Sequence, residues 1–190
     1  MAVVTTAARY GQTTSGCLAV DHYEPLVDGL LAVVIVHGVM DRASGFRRAI
    51  RHMNAEVWAI DRRGYGRSQQ CEQSAEISVH AADVVRLCEE IGRPAVVVGH
   101  SQGALIALHA AAANARGENG AALIAGVVAW EPPMPWFDWY GSELGDAVRV
   151  MPPADAAETF MREVVGERLW GRVPTAVKQQ RQAEGSALLA

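Results

Sequence analysis

The chain of 190 residues is predicted to fold as an α/β protein, a mostly parallel sheet with helices on both faces. Three observations predict it. Short apolar, β-branched runs recur along the first two thirds of the sequence, as strands buried on both faces require. Stretches with helical spacing separate them. One run leads into Gly99-His100-Ser101-Gln102-Gly103, the G-x-S-x-G pattern of a sharp strand-to-helix turn that lifts a serine hydroxyl out of a parallel sheet.

Taken in order, Leu18-Ala19-Val20 reads as an early edge strand. Residues 30–36 form a continuous apolar run that ends in His37-Gly38. Phe46, Ala49, Ile50 and Met53 then recur at helical spacing. Residues 56–60 are a second short strand, closed by Asp61-Arg62-Arg63-Gly64-Tyr65-Gly66, whose glycines mark a loop. Ser78 is predicted to cap the next helix, with Val79, Ala82 and Val85 on its apolar face and Gly92 as its stop. Residues 94–98 are a strand feeding the serine turn, and residues 104–114 an alanine-rich helix. Residues 123–129 read as a fourth buried strand. From Glu131 the composition changes. Pro132, Pro133, Pro135, Pro152 and Pro153 punctuate a tryptophan-rich segment, and Ala157, Phe160, Met161, Val164 and Val165 form an amphipathic helix. The remainder reads as helical with a polar face.

Half of the residues are hydrophobic, enough for one domain with a real core. A net charge of −4 argues against a nucleic-acid partner. Arg47, Arg48 and Arg51 read as one solvated helix face. The first residues lack a basic stretch followed by an apolar core, so no signal peptide is expected. The apolar runs fall short of the ~20 residues a membrane helix needs. Cys17, Cys71 and Cys88 are scattered and odd in number, with no disulfide framework or zinc spacing. The expectation is a soluble, cytoplasmic protein without metal or organic cofactor.

A serine hydroxyl is a weak nucleophile at neutral pH. It needs a base for its proton and donors for the oxyanion. Ser101 is the candidate nucleophile, and the main-chain N–H of Gln102 one oxyanion donor. The second is the N–H of Val39, in the loop that His37-Gly38 opens; His37 itself reads as structural. An ordinary glycine-rich turn is the bland alternative. The base is harder to find. His109 lies eight positions beyond Ser101 on the same predicted helix, about 12 Å along its axis. His100 should point away from the hydroxyl and pack on the sheet, and His22, His52 and His80 fall in peripheral segments.

The pieces His37-Gly38, Asp61-Arg62-Arg63-Gly64-Tyr65-Gly66-Arg67-Ser68, the serine turn and Trp130-Glu131-Pro132-Pro133 occur in an order and spacing that resembles the α/β-hydrolase superfamily. That family holds esterases, lactonases, cofactor-free haloperoxidases and C–C bond hydrolases. The resemblance implies a core over residues 1–131 and a partial helical cap over 132–190. It makes the Asp61 loop structural and offers Glu131 as the triad acid, with anchoring of the cap hinge as its other role. It lets Trp136 and Trp139 line an apolar pocket or pack the cap on the core. It also implies two further core strands and a late histidine, so the chain is expected to be truncated, impaired alone, and prone to self-association through the edge at 123–129. The activity it implies is hydrolysis of ester, lactone or related carbonyl substrates. The alternative is a non-catalytic remnant or pseudoenzyme that binds an apolar small molecule or complements another chain.

Overall fold

The computed structural model describes residues 10–25, 31–115, 123–138, 141 and 143–190. Six strands form one sheet: β1 (Tyr10–Ser15), β2 (Leu18–Tyr23), β3 (Ala32–Val36), β4 (Glu56–Ile60), β5 (Ala95–His100) and β6 (Ile124–Trp130), in the order β1-β2-β4-β3-β5-β6. β4, β3, β5 and β6 run parallel, and β1 and β2 are antiparallel additions. The segment expected at the edge, Leu18-Ala19-Val20, therefore lies inside the sheet. The true edge is β1, a polar strand exposed over its first five residues, whose sequence carries no apolar alternation.

β3 is buried along its whole length. Its alternate residues feed two cores, because successive strand side chains point to opposite faces. Val34 and Val36 join Val20 and Val97 beneath the helices α2 (Ile77–Ile91) and α3 (Gln102–Ala115). Val33 and Ile35 meet Ala43, Phe46 and Ile50 from the 3₁₀ turn Ala43–Phe46 and the short α1 (Arg47–Ile50) on the other face. Met53 falls beyond that helix and is exposed.

α2 begins at Ile77 with Glu76 flanking it. Ser78 is already inside the helix, and its hydroxyl donates to the Glu76 carboxylate rather than capping the main chain. Gly92 ends α2 as predicted, at φ +70°, a left-handed stop that glycine adopts cheaply. Cys17 and Cys71 are joined by a disulfide, contrary to the reading of scattered thiols. They stand 54 positions apart in sequence, and it is the fold that brings the β1–β2 turn against the loop after β4.

β6 pairs with β5 alone among the described strands. It was expected to be buried, yet only Ile124 is, and Val128 and Trp130 are 51% and 57% exposed. Past it come α4 (Glu143–Arg149), α5 (Pro153–Val165), α6 (Glu167–Trp170), α7 (Thr175–Ala183) and α8 (Gly185–Leu189). Ala157, Phe160, Met161, Ala187 and Leu188 from these helices gather around Met40 and Tyr65, in the loops that follow β3 and β4. Glu184, fully buried, accepts hydrogen bonds from Arg42 at 2.7 Å, from the Gly66 N–H at 2.9 Å and from Arg181 at 3.1 Å. The helical segment is thereby tied to the carboxyl end of the sheet, the side on which open parallel sheets bind ligands. No described helix is long and apolar enough to cross a membrane.

Candidate active site

The segments that follow three adjacent strands share an unusual backbone conformation. Met40 after β3, Ser101 after β5 and Glu131 after β6 hold φ values of 53°, 53° and 51°. They are the non-glycine residues in the left-handed region among those described. Such conformations cost free energy and persist where the surrounding structure enforces them. At Ser101 the enforcement is visible. Its N–H donates to the Trp130 carbonyl at 2.8 Å, and its carbonyl accepts from the Ala104 N–H at 2.8 Å. Two glycines leave the room. A Cβ on Gly103 would stand 2.2 Å from the Val36 carbonyl oxygen, and one on Gly99 would stand 2.2 Å from the Gly103 oxygen. α3 can thus start hard against β3 and β5, with the serine at its first turn.

A cavity of about 310 Å³ opens over this turn, lined by Ser101, Val39 and Gln102, with Pro133, Val148 and Phe160 among the apolar walls. Among the described residues, the N–H groups of Val39 and Gln102 donate no hydrogen bond. That of Gln102 is free because it opens a helix, where the first donors lack intrahelical partners.

Behind these two donors lies a buried polar network. His37 is fully buried, with its Nδ1 2.6 Å from the Gly38 carbonyl and its Nε2 accepting the Arg62 N–H at 2.9 Å. That pairing fixes the tautomer with the proton on Nδ1. Burial, and then the Arg62 charge, hold the imidazole well below its usual range, so it stays neutral. Its bonds are structural, as the sequence suggested. Arg62 is 2% exposed, and both its terminal nitrogens donate to the Gln102 side-chain oxygen at 2.7 Å.

The opposite side of the turn is looser. The Glu131 side chain is 73% exposed, and its carboxylate lies 3.8 Å from His100 Nε2. The His100 ring packs against Trp130 at 4.6 Å. His22 is paired with Glu56 at 2.9 Å, and His80 contacts the Ser74 carbonyl at 3.0 Å. His109 lines a separate apolar groove between α2 and α3. Asp61, the other strand-end carboxylate, is spent: it accepts from the Ala43 N–H at 2.8 Å and from the Arg67 side chain at 2.8 Å. Trp136 lines the α2–α3 groove of about 760 Å³, with Leu105 and Leu108, and not the cavity over Ser101. Trp139 lies outside the described residues.

Residues 33–189 match the model of the Alpha/beta hydrolase family. The chain belongs to that family. Known structures agree on the fold of this hydrolase-family chain. It is similar to E-2-(acetamidomethylene)succinate hydrolase, at 20% identity and a TM-score of 0.58, over 95% of this chain and 64% of that one. It is similar to the type II thioesterase BorB from the borrelidin biosynthetic cluster, at 17% identity and a TM-score of 0.61, over 92% and 68%. It is similar to the N-acyl homoserine lactonase AidH, at 16% identity and a TM-score of 0.67, over 96% and 68%. The chain thus spans less than two thirds of the first of these structures. No curated protein matches it by sequence.

Two residues of this α/β-hydrolase chain escape a reading of its sequence. Arg62 looks like one basic residue of a glycine loop, and its partner Gln102 is 40 positions away. Glu184 sits in a polar helix, with nothing local to mark it as the buried acceptor for Arg42, 142 positions earlier. The local signal is the adjacent pair of arginines at 62 and 63, which does not tell the buried one from the one that pairs with Asp83 at 2.6 Å.

Proposed function

We propose that Ser101 is the nucleophile of a hydrolase acting on ester, lactone or related carbonyl substrates through an acyl-enzyme. The observation that carries this reading is the left-handed Ser101 at the end of β5, facing a cavity it shares with two unengaged N–H donors. Ser101 Oγ bonds to the carbonyl carbon, and its proton passes to an imidazole base. The developing oxyanion is held by the Val39 and Gln102 N–H groups. Collapse expels the alcohol or lactone oxygen, which takes the proton back. Water then releases the acid by the reverse sequence. Pro133, Val148 and Phe160 suit the apolar part of an acyl group, and the helices over 132–190 serve as the cap above a core over 1–131.

Glu131 is the proposed triad acid, the one strand-end carboxylate not already committed to backbone. The base is not among the residues placed at the serine. His37 is locked in the core, His22 and His80 are bonded elsewhere, and His100 packs on Trp130. No histidine among the described residues hydrogen-bonds Ser101, and the reading requires an imidazole supplied to the site. The same gap favours a second reading, a non-catalytic chain that binds an apolar ligand or is completed by another chain.

An alkyl fluorophosphonate separates the two. Ser101 Oγ forms a bond to phosphorus, fluoride leaves and the proton goes to the base. The hydrolase reading expects slow labelling by the chain alone, several-fold acceleration by added imidazole, and loss of both in Ser101→Ala. Labelling that is absent, or that survives Ser101→Ala, leaves the binding reading.

A further inference from the structure

We propose that Arg62 is a positioning residue of the oxyanion site: a buried guanidinium that holds the turn after the nucleophile and adds positive potential beneath its two N–H donors. The inference rests on the reading of Ser101 as nucleophile.

Arg62 touches both walls of the site. Its main-chain N–H donates to His37 Nε2 at 2.9 Å, and His37 in turn bonds the Gly38 carbonyl, one residue before Val39. Its side chain grips Gln102 with two donors on one oxygen, both at 2.7 Å. A single residue thus spans from the loop after β3 to the start of α3 and fixes their separation. Oxyanion donors act only when held at the right distance before the reaction begins.

The charge is the second part. Burying a cation is costly unless a carboxylate meets it. Among the described residues no carboxylate lies within 4 Å of the Arg62 guanidinium nitrogens. Asp41 is the acid whose charge acts on Arg62, from beyond ion-pair distance, and its Oδ1 accepts the Arg42 N–H at 2.8 Å; Asp61 bonds Ala43 and Arg67, Asp83 bonds Arg63 and Arg86, and Glu184 bonds Arg42 and Arg181. Gln102, its partner, is neutral. The Tyr65 ring lies 5.1 Å from the guanidinium carbon, a face that favours a cation without cancelling its charge. The fold keeps a positive charge without a carboxylate in direct contact one side chain away from the N–H of Gln102. A tetrahedral oxyanion bound there supplies the missing negative charge, so the arrangement favours that state over a neutral ground state.

Labelling of Ser101 by the fluorophosphonate, in a fixed concentration of imidazole, tests it through the maximal rate and the half-saturating concentration taken separately. Arg62→Met keeps the bulk and removes fork and charge. It is expected to lower the maximal rate at least tenfold, with half-saturation within about twofold. Arg62→Lys restores the charge without the fork and recovers part of the loss. Should Arg62→Met not fold, Gln102→Glu keeps the contact and neutralises the cation, and the maximal rate is again expected to fall about tenfold. A purely structural role predicts lower melting temperatures with unchanged maximal rates for folded protein. Unchanged rates in the folded variants, with labelling still lost in Ser101→Ala, overturn this inference alone. Labelling of the parent that does not depend on Ser101 overturns the nucleophile reading and this one with it.

Discussion

The two sides of the serine turn are built differently. On the side proposed to hold the oxyanion, His37, Arg62 and Gln102 form a buried chain of hydrogen bonds of 2.6–2.9 Å. On the proton-transfer side, Glu131 is largely exposed and 3.8 Å from a histidine that is packed against Trp130. One side is fixed by β3, β4 and β5, all present and paired. The other is the end of β6, a strand with one partner among the described strands and an exposed outer half. Rigidity follows strand pairing, so under the proposed function holding an oxyanion and moving a proton would be separable.

The largest expected effect strikes what both sides share. Gly103→Val would drive a side chain into the Val36 carbonyl and separate α3 from β3. We expect a loss of more than about 4 kcal/mol, read as a collapse of the urea midpoint. A midpoint near the parent's would mean that the turn is not held as described.

The next effect is a pH dependence that belongs to the buried side. His37 is kept neutral by burial, and His80 is shifted in the same direction. The unfolded chain takes up a proton below the ordinary value near 6.5, and the folded chain does not. Stability is therefore expected to fall as pH drops below about 6.5. His37→Gln should lower stability at pH 7.5 by about 2 kcal/mol through misfitted bonds and flatten the fall between pH 7 and 5. A variant with the parent's pH slope would remove His37 as its source.

The smallest effect lies on the loose side. Glu131→Gln should leave the melting temperature unchanged and lower imidazole-assisted labelling only a few-fold, since a free imidazole is not held by the carboxylate. A loss as large as that of Ser101→Ala would show the proton side to be as rigid as the oxyanion side.

Much of this was legible in sequence for a physical reason. β4 was predicted at its observed bounds, and the ends of β3 and β5 within two residues, because strands buried on both faces are continuous apolar runs with glycine loops after them. The serine turn was legible because close backbone contact at Gly99 and Gly103 leaves glycine as the fitting residue. β1 was missed because it is polar and exposed, held by pairing with β2 rather than by a hydrophobic face. The Cys17–Cys71 bond and the Arg62–Gln102 contact are tertiary facts with no local spacing. The family resemblance lets Trp136 line a pocket or pack the cap on the core, and its position in the α2–α3 groove depends on how the chain turns after β6.

The most direct measurement of the central claim is the imidazole dependence of Ser101 labelling by a fluorophosphonate, located by mass spectrometry of the labelled peptide. Slow labelling alone, a rise with imidazole, and no label in Ser101→Ala are expected. Rapid labelling of Ser101 that imidazole does not change would contradict the claim, because a base would then already stand at the serine.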